Sequence, residues 1–186
     1  MKPAAAVLLA LLCSTAFRGA AGGRGSVKRS PARKASTSAI FPGFGLGDVR
    51  LGQTHAEVLR RWGRPYMSKR HGTYLMEYWH LGKSEDFMEC FFRNGRMVQI
   101  DTDSSAFSTP QGISLRSSLG QIRRKYRAMA LVPFGEEDYE DGPNYYYDAV
   151  REGIAFELGG GGDFSNEDTP LTISVHRRGH RVLPDF

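Results

Sequence analysis

The sequence predicts an α+β fold: a tandem repeat of a short helix followed by an antiparallel sheet of three to four strands. Three observations support it. Residues 49–62 align without a gap on residues 113–126, at a constant offset of 64. Each stretch contains a helix-capping motif at the same position, and each is followed by aromatic and β-branched runs typical of strands.

The two capping motifs are Thr54-x-x-Glu57 and Ser118-x-x-Gln121. In such a box the hydroxyl accepts a hydrogen bond from the third helical amide, and the Glu or Gln side chain accepts one from the cap amide. Apolar residues spaced four apart follow each box and define one buried helix face. The two predicted helices run over 56–62, where Gly63 and Pro65 end the helix, and over 119–126.

The strand signals are strongest after the first helix. Asn94-Gly95 lies between two apolar runs and is the preferred two-residue hairpin turn. The predicted strands run over 73–80, 87–93, 97–101, 144–148, 153–158 and 171–176. A longer loop over 159–170 separates the last two strands. The pattern leaves open whether the two halves form two sheets or share one.

Two motifs carry a family resemblance. They are Leu51-Gly52-x-Thr54-x-x-Glu57-Val58-x-x-x-x-Gly63-x-Pro65, and Tyr78-Trp79 followed by Phe91-Phe92-x-Asn94-Gly95-x-x-Val98-x-Ile100. Over residues 44–102, and more loosely over 112–176, the chain resembles the SmpA/OmlA (BamE-type) module of bacterial outer-membrane assembly lipoproteins. It is similar as well to the β-lactamase inhibitor proteins, which use a related module twice in tandem. The resemblance implies an exported protein that binds other proteins and is not an enzyme.

Charge is distributed unevenly along the chain. The 186 residues include 25 Lys and Arg against 20 Asp and Glu, a formal net charge of +5. Residues 1–40 hold seven of the basic residues and no acidic one, so residues 41–186 have 18 basic and 20 acidic residues. Because domains that bind nucleic acid normally carry a clear basic excess, we expect no nucleic-acid partner.

The first residues have the layout of a secretory signal peptide. A basic start with Lys2 precedes an unbroken apolar run over 4–12, and cleavage sites fit after Ala16 or Ala21. The run is shorter than the roughly 20 residues that cross a bilayer, so we expect export to the periplasm or the exterior rather than anchoring. The bulky Leu12 precedes Cys13, and lipidation of that cysteine is not expected.

The segment after the leader is rich in Gly, Ser, Ala and basic residues, which predicts a flexible cationic linker. It serves as a solvated spacer or makes a weak contact with an anionic membrane surface through residues 24–34. The predicted domains are a signal peptide over 1–21, the linker over 22–40, a first repeat over 41–106 and a second repeat over 107–186.

Motifs for catalysis or metal binding are missing from the sequence, so we expect no enzyme, cofactor or metal. Gly159 to Gly162 lack the lysine and hydroxyl of a phosphate-binding loop, and His176 with His180 lack helical register and a third ligand. The acidic residues at 136–141 do not follow the spacing of an EF-hand. Cys90 lies in an apolar run and is expected to be buried and inert.

Aromatic side chains supply the candidate partner-binding residues, because Tyr and Trp bury a large area at interfaces for little entropy. On a strand, Tyr145 and Tyr147 share one face while Tyr146 points to the other. Either one of these faces contacts a partner or all three rings serve the sheet. The candidate partner-binding residues are Tyr78, Trp79, Tyr139, Tyr145 and Tyr147.

The sequence therefore predicts an exported, non-catalytic module that binds a protein partner through sheet faces and loops. One alternative is an unrecognised envelope enzyme, which would require a cavity with two titratable groups near His80 or His176. A structural component of outer-membrane assembly is the other.

Overall fold

The computed structural model describes residues 38–82, 85–134, 143–159 and 162–183. The predicted leader with Cys13, most of the linker, and the acidic run with Tyr139 lie outside these ranges. The described elements are β1 (Ile40–Phe41), β2 (Gly45–Leu46), β3 (Val49–Arg50), α1 (His55–Trp62), β4 (Met67–His71), β5 (Tyr74–His80), β6 (Phe87–Arg93), β7 (Arg96–Thr102), α2 (Leu119–Lys125), β8 (Ala130–Phe134), β9 (Asn144–Ala149), β10 (Ile154–Leu158) and β11 (Thr172–His176).

Eight of these strands form one antiparallel sheet with the order β4-β5-β6-β7-β11-β10-β9-β8. The middle of the sheet is the pair β7 and β11, in which Ile100 lies opposite Val175 and Gln99 lies opposite His176. Strands β1, β2 and β3 form a small separate sheet. Neither helix in the described ranges is both long and apolar enough to cross a membrane.

One side of the large sheet, which we call the helix face, carries the main apolar core. Val58 and Trp62 of α1 and Ile122 of α2 pack in one cluster with strand residues such as Ile100 and Phe156. Both capping boxes are confirmed, since the Thr54 hydroxyl accepts from the Glu57 amide and the Ser118 hydroxyl accepts from the Gln121 amide. The caps fix where each helix begins and thus which of its residues reach the sheet.

The opposite side, which we call the polar face, buries hydrogen-bonding side chains. Gln99, Asp148 and Ser174 have no exposed surface, and His176 retains 2%. The C-terminal strap, defined as residues 177–183, is bonded to this face. Its Val182 amide donates to Asp148 Oδ2 over 3.0 Å, and its Leu183 amide donates to Gln99 Oε1 over 2.6 Å.

The predicted fold class, a tandem repeat of a helix and a small sheet, is wrong. The fold is dominated by one continuous antiparallel sheet with two short helices. Its apolar cluster combines residues from both predicted repeats, for example Cys90 with Phe156, so the two segments share one core. The pairing of β7 with β11 joins residues about 70 positions apart, and no local pattern encodes it.

Candidate protein-binding surface

The three consecutive tyrosines of β9 divide between the two sides of the sheet, as their alternation predicts. Tyr146 is completely buried on the polar face, where its ring stacks on Phe134 with the centroids 4.3 Å apart. Tyr145 and Tyr147 lie half-buried on the helix face. Tyr146 therefore serves the sheet, and only the other two remain candidates for contact with a partner.

Tyr145 and Tyr147 lie with other partly exposed apolar residues on the helix face at the β8 end of the sheet. In the register of β8 and β9, Leu131 lies opposite Tyr147 and Pro133 lies opposite Tyr145. Leu131 is 45% exposed and Leu171, which precedes β11 on the same side, is 54% exposed. We call this surface the binding patch; its residues are Leu131, Pro133, Tyr145, Tyr147, Phe164 and Leu171.

Phe164 fixes the two tyrosine rings of the binding patch. Its ring meets Tyr145 edge-on, with the centroids 5.6 Å apart, and meets Tyr147 in the same way at 5.9 Å. Gly162 lies beside the Tyr145 ring with a φ of +83°, and a Cβ there would come within 3.2 Å of the tyrosine oxygen. Glycine at this position therefore allows the loop to approach the ring closely.

Arg123 of α2 holds Tyr147 from the other side. Its guanidinium donates to the Tyr147 hydroxyl over 2.5 Å and lies 5.1 Å from the centre of the same ring. It also donates to Asn166 Oδ1 over 3.0 Å, which links the helix to the loop that carries Phe164. Because the ring is held before any partner arrives, little side-chain entropy remains to be lost on binding.

The loop before β11 is anchored to the first turn of α2. The Leu119 amide donates to the Asp168 carbonyl over 2.7 Å, and the Gly120 amide donates to the Asn166 carbonyl over 2.9 Å. These amides have no partner within the helix, so the loop satisfies groups that would otherwise need water. The same contacts place Phe164 against the tyrosines, and the binding patch is consequently built from two strands and a loop.

The other aromatic candidates do not join the binding patch. Trp79 is 4% exposed and donates its indole N–H to the Gly63 carbonyl over 3.3 Å, so its proposed surface role is corrected to a role in the core. Tyr78 lies half-buried on the polar face, with its ring edge-on to Phe87 at 6.1 Å. Tyr139 is outside the described residues.

The histidines named for a catalytic alternative do not meet in a cavity. His176 is buried, with Nε2 2.9 Å from Asp148 Oδ1 and Nδ1 3.1 Å from the Arg177 carbonyl. His80 is exposed and packs on Tyr66, the ring centroids being 4.5 Å apart. Within the ranges described, no group of three or more His, Cys, Asp or Glu side chains could hold a metal ion.

Cys90 is buried and free, as its apolar surroundings predict. Burial is the largest cause that raises the pKa of its thiol well above the ordinary value, and the nearby Glu89 and Asp101 carboxylates add to the shift. A thiol held in its protonated form, without solvent access, is a poor nucleophile. Cys90 therefore serves as a packing residue of the core on the helix face.

Comparison with known proteins gives weak similarities only. No protein-family model matches the chain, and no curated protein sequence matches it. One similar solved structure is an extracellular protein containing an SCP domain from Bacillus anthracis, at 9% identity and a TM-score of 0.46, over 82% of this chain and 50% of that one. Another is a cysteine-rich secretory protein from Staphylococcus aureus, at 8% identity and a TM-score of 0.47, over 80% and 51%.

These results correct the family resemblance drawn from the sequence. One of the similar structures contains an SCP domain, and the other is a cysteine-rich secretory protein. The assignment to SmpA/OmlA or to β-lactamase inhibitor proteins is therefore wrong. This chain spans about half the length of each. At these TM-scores neither function nor location is transferred from them to this chain.

Proposed function

We propose that this chain is an exported, non-catalytic protein-binding module that acts in the periplasm or outside the cell and docks a protein partner on the binding patch. The observation that carries the proposal is the binding patch itself. Two exposed leucines lie on the same sheet face as two tyrosine rings that are already held in place by Phe164 and Arg123. Contiguous exposed apolar groups with rigid aromatic rings are typical of protein interfaces.

The shape of the binding patch favours a protein over a small molecule. Its strand residues stand on adjacent strands of one sheet, with Leu131 opposite Tyr147 and Pro133 opposite Tyr145. Such a surface offers area but little enclosure, whereas sites for small molecules enclose most of the ligand. A partner that contributes a cluster of apolar side chains matches this surface.

The edge strand β8 favours contact through side chains. It stands last in the sheet order of the described strands, and it pairs only with β9. Pro133 is the fourth of the five residues of β8 and has no amide hydrogen to give to an added strand. The partner is therefore expected to pack on the binding patch rather than to extend the sheet at this edge.

The test is capture of the partner from extract of exported proteins, using the full chain as bait and a double variant, Leu131→Asp with Leu171→Asp, as comparison. Both residues are largely exposed, so the fold is expected to survive while the carboxylates disrupt apolar contact. The matched control is Phe44→Asp with Tyr66→Asp, since these side chains are 56% and 70% exposed and lie outside the binding patch.

The proposal expects a protein that is retained by the wild type and by the control but lost by the patch variant. Equal retention by both double variants would place the contact elsewhere and overturn the assignment of the binding patch. Retention of no protein by the wild type would overturn the binding function. Circular dichroism and the melting temperature verify that the variants are folded.

A further inference from the structure

A second surface feature lies at the opposite end of the sheet, near β4 and β5. A cleft of about 340 Å³ opens between the start of α1, the β4–β5 hairpin and the β6–β7 turn. We call it the His55 cleft; its lining residues are His55, Arg70, Thr73, Leu75, Phe92, Asn94 and Gly95. Its volume lies at the lower end of the roughly 300–1,000 Å³ found for small-molecule sites.

The walls of the His55 cleft are tied together by the backbone. The His55 amide donates to the Gly95 carbonyl over 3.0 Å, so the first residue of α1 is bonded to the β6–β7 turn. Asn94 adopts a left-handed conformation with a φ of 52°, which the hairpin turn requires and asparagine tolerates. The cleft is therefore formed by fixed elements rather than by a long loop.

The imidazole of His55 is held in one orientation. Its Nε2 lies 2.9 Å from Glu77 Oε2, and Glu77 is itself 4% exposed and accepts from the Ser68 hydroxyl over 3.2 Å. The ring also meets Phe92 edge-on at 5.0 Å. Glu77 holds the Nε2 hydrogen, so Nδ1 can donate to a ligand carboxylate when the ring is in its protonated form, and no hydrogen bond from a described residue occupies Nδ1.

The polar groups around the opening are suited to an anion. The Arg70 guanidinium forms no ion pair with any side chain in the described ranges, and Thr73 and Asn94, whose side chains can donate hydrogen bonds, line the same opening. No carboxylate is among the described residues that line the cleft, and Glu77, which contacts the histidine ring, is buried. Leu75, which is half-buried, supplies the apolar floor, and Phe92 is buried beside it. An Arg beside neutral donors is a common arrangement for binding a carboxylate.

We propose that the His55 cleft binds a small carboxylate ligand, in which the carboxylate pairs with Arg70 and accepts a hydrogen bond from Nδ1 of the protonated His55 ring, and a short apolar chain lies on Leu75. This cleft and the binding patch lie at opposite ends of the eight-stranded sheet. The inference therefore does not depend on the proposed function.

The strand β4 offers a matched pair of variants. Arg70 lies opposite Leu75 in the β4–β5 register, and Lys69 lies opposite Met76, so the two basic side chains point to opposite faces of the sheet. Arg70→Gln and Lys69→Gln each remove one positive charge from the same exposed strand. A ligand in the His55 cleft should be affected by Arg70→Gln only, whereas general attraction of anions to the strand should be affected equally by both variants.

The experiment follows the NMR signals of the His55 ring and the Arg70 side chain in the full chain during titration with butyrate, inorganic phosphate or butylamine. Butyrate is expected to move both sets of signals in a saturable manner, and butylamine, with the same chain but a positive charge, is expected to move neither. Arg70→Gln is expected to weaken butyrate binding about tenfold, and Lys69→Gln to leave it unchanged.

Four results would overturn the inference. No saturable shift with butyrate would exclude a carboxylate site, and equal shifts with butylamine would exclude recognition of the charge. If Arg70→Gln and Lys69→Gln weakened butyrate binding equally, the binding would depend on the net charge of β4 and not on a site in the cleft. If phosphate bound more tightly than butyrate, the apolar floor would not contribute to binding, and the site would not be specific for a carboxylate with an apolar chain. The backbone spectrum of each variant shows whether the fold is retained.

Discussion

The two faces of the large sheet are buried by different means. The helix face is covered by α1 and α2 and is filled with apolar side chains such as Ile100, Phe156 and Val175. The polar face buries Gln99 and Asp148 and is bonded to the C-terminal strap. The helix face depends on excluding water from a large apolar area, whereas the polar face combines a smaller apolar cluster around Tyr146 with directional hydrogen bonds.

This difference has consequences for how each face responds to substitution. Apolar burial is non-directional and scales with the area removed from water, so related side chains can replace one another at modest cost. A buried polar group is different, because leaving it without a partner costs about 1–3 kcal/mol, and more if it is charged. Chemically similar substitutions should therefore separate the two faces.

The largest effect is expected on the helix face from Phe156→Ala. Phe156 has no exposed surface, and its ring centroid lies 5.4 Å from that of Tyr126. Removing a buried phenylalanine ring typically lowers the free energy of unfolding by about 3–5 kcal/mol, through lost transfer energy and the remaining cavity. Urea unfolding of the full chain measures the loss.

Phe156→Leu is the matched control for the helix face, since it keeps most of the apolar volume. It is expected to cost clearly less than the alanine variant, because this face tolerates a change of shape better than a cavity. Equal losses for the two variants would contradict the view that volume and apolar area dominate here.

The next effect concerns the polar face, where Asp148 accepts hydrogen bonds from two directions. Its Oδ2 accepts from the Val182 amide at 3.0 Å, and its Oδ1 lies 2.9 Å from His176 Nε2. Asp148→Ala leaves both groups without a partner and is expected to lower the free energy of unfolding by about 3 kcal/mol. Urea unfolding measures this, and hydrogen exchange at the Val182 amide reports whether the strap is released.

Asp148→Asn tests whether direction or charge matters on the polar face. The asparagine oxygen can accept from the Val182 amide while its NH₂ donates to Nε2 of a neutral His176, which still donates from Nδ1 to the Arg177 carbonyl. The loss is therefore expected to be much smaller than for alanine, with Val182 still protected. A loss as large as that of Asp148→Ala would show that the charge itself is required.

The parts of the fold that the sequence could predict are the ones encoded by local patterns. The two capping boxes and the Asn94-Gly95 turn are local, and the structure contains all three where they were predicted. Most predicted strand limits agree within a few residues for the same reason. Strand β4 was missed because each of its five side chains is exposed, so its sequence has no apolar alternation.

The arrangement of the strands could not be predicted from local patterns. Joining β7 to β11 creates a single sheet and brings Gln99 opposite His176, and this pairing is set by the whole chain. The binding patch has the same origin. Tyr145 and Tyr147 were identified by their own spacing, but Leu131, Phe164 and Leu171 come next to them only through the register and the loop anchored to α2.

The smallest effect on stability is expected from the capping boxes, which fix the starts of the two helices on the helix face. The two capping boxes differ in one respect, since Glu57 closes the first and the neutral Gln121 closes the second. The hydrogen bond from the Thr54 amide, followed by that from its hydroxyl, lowers the pKa of Glu57 below its ordinary value of 4.5. The Glu57 contribution to stability is therefore complete above about pH 4.5 and is lost as the pH falls through the lowered pKa.

Glu57→Gln converts the first box into the form of the second and removes this titration. At neutral pH the variant is expected to be slightly less stable than the wild type, because a negative charge near a helix N-terminus is favourable. The difference should vanish in acid, where the wild-type side chain is protonated. Melting temperatures of both proteins across the acidic range measure it, and the reciprocal Gln121→Glu should introduce the same dependence at α2. A difference that stays constant with pH would mean that the charge of Glu57 does not contribute to the cap.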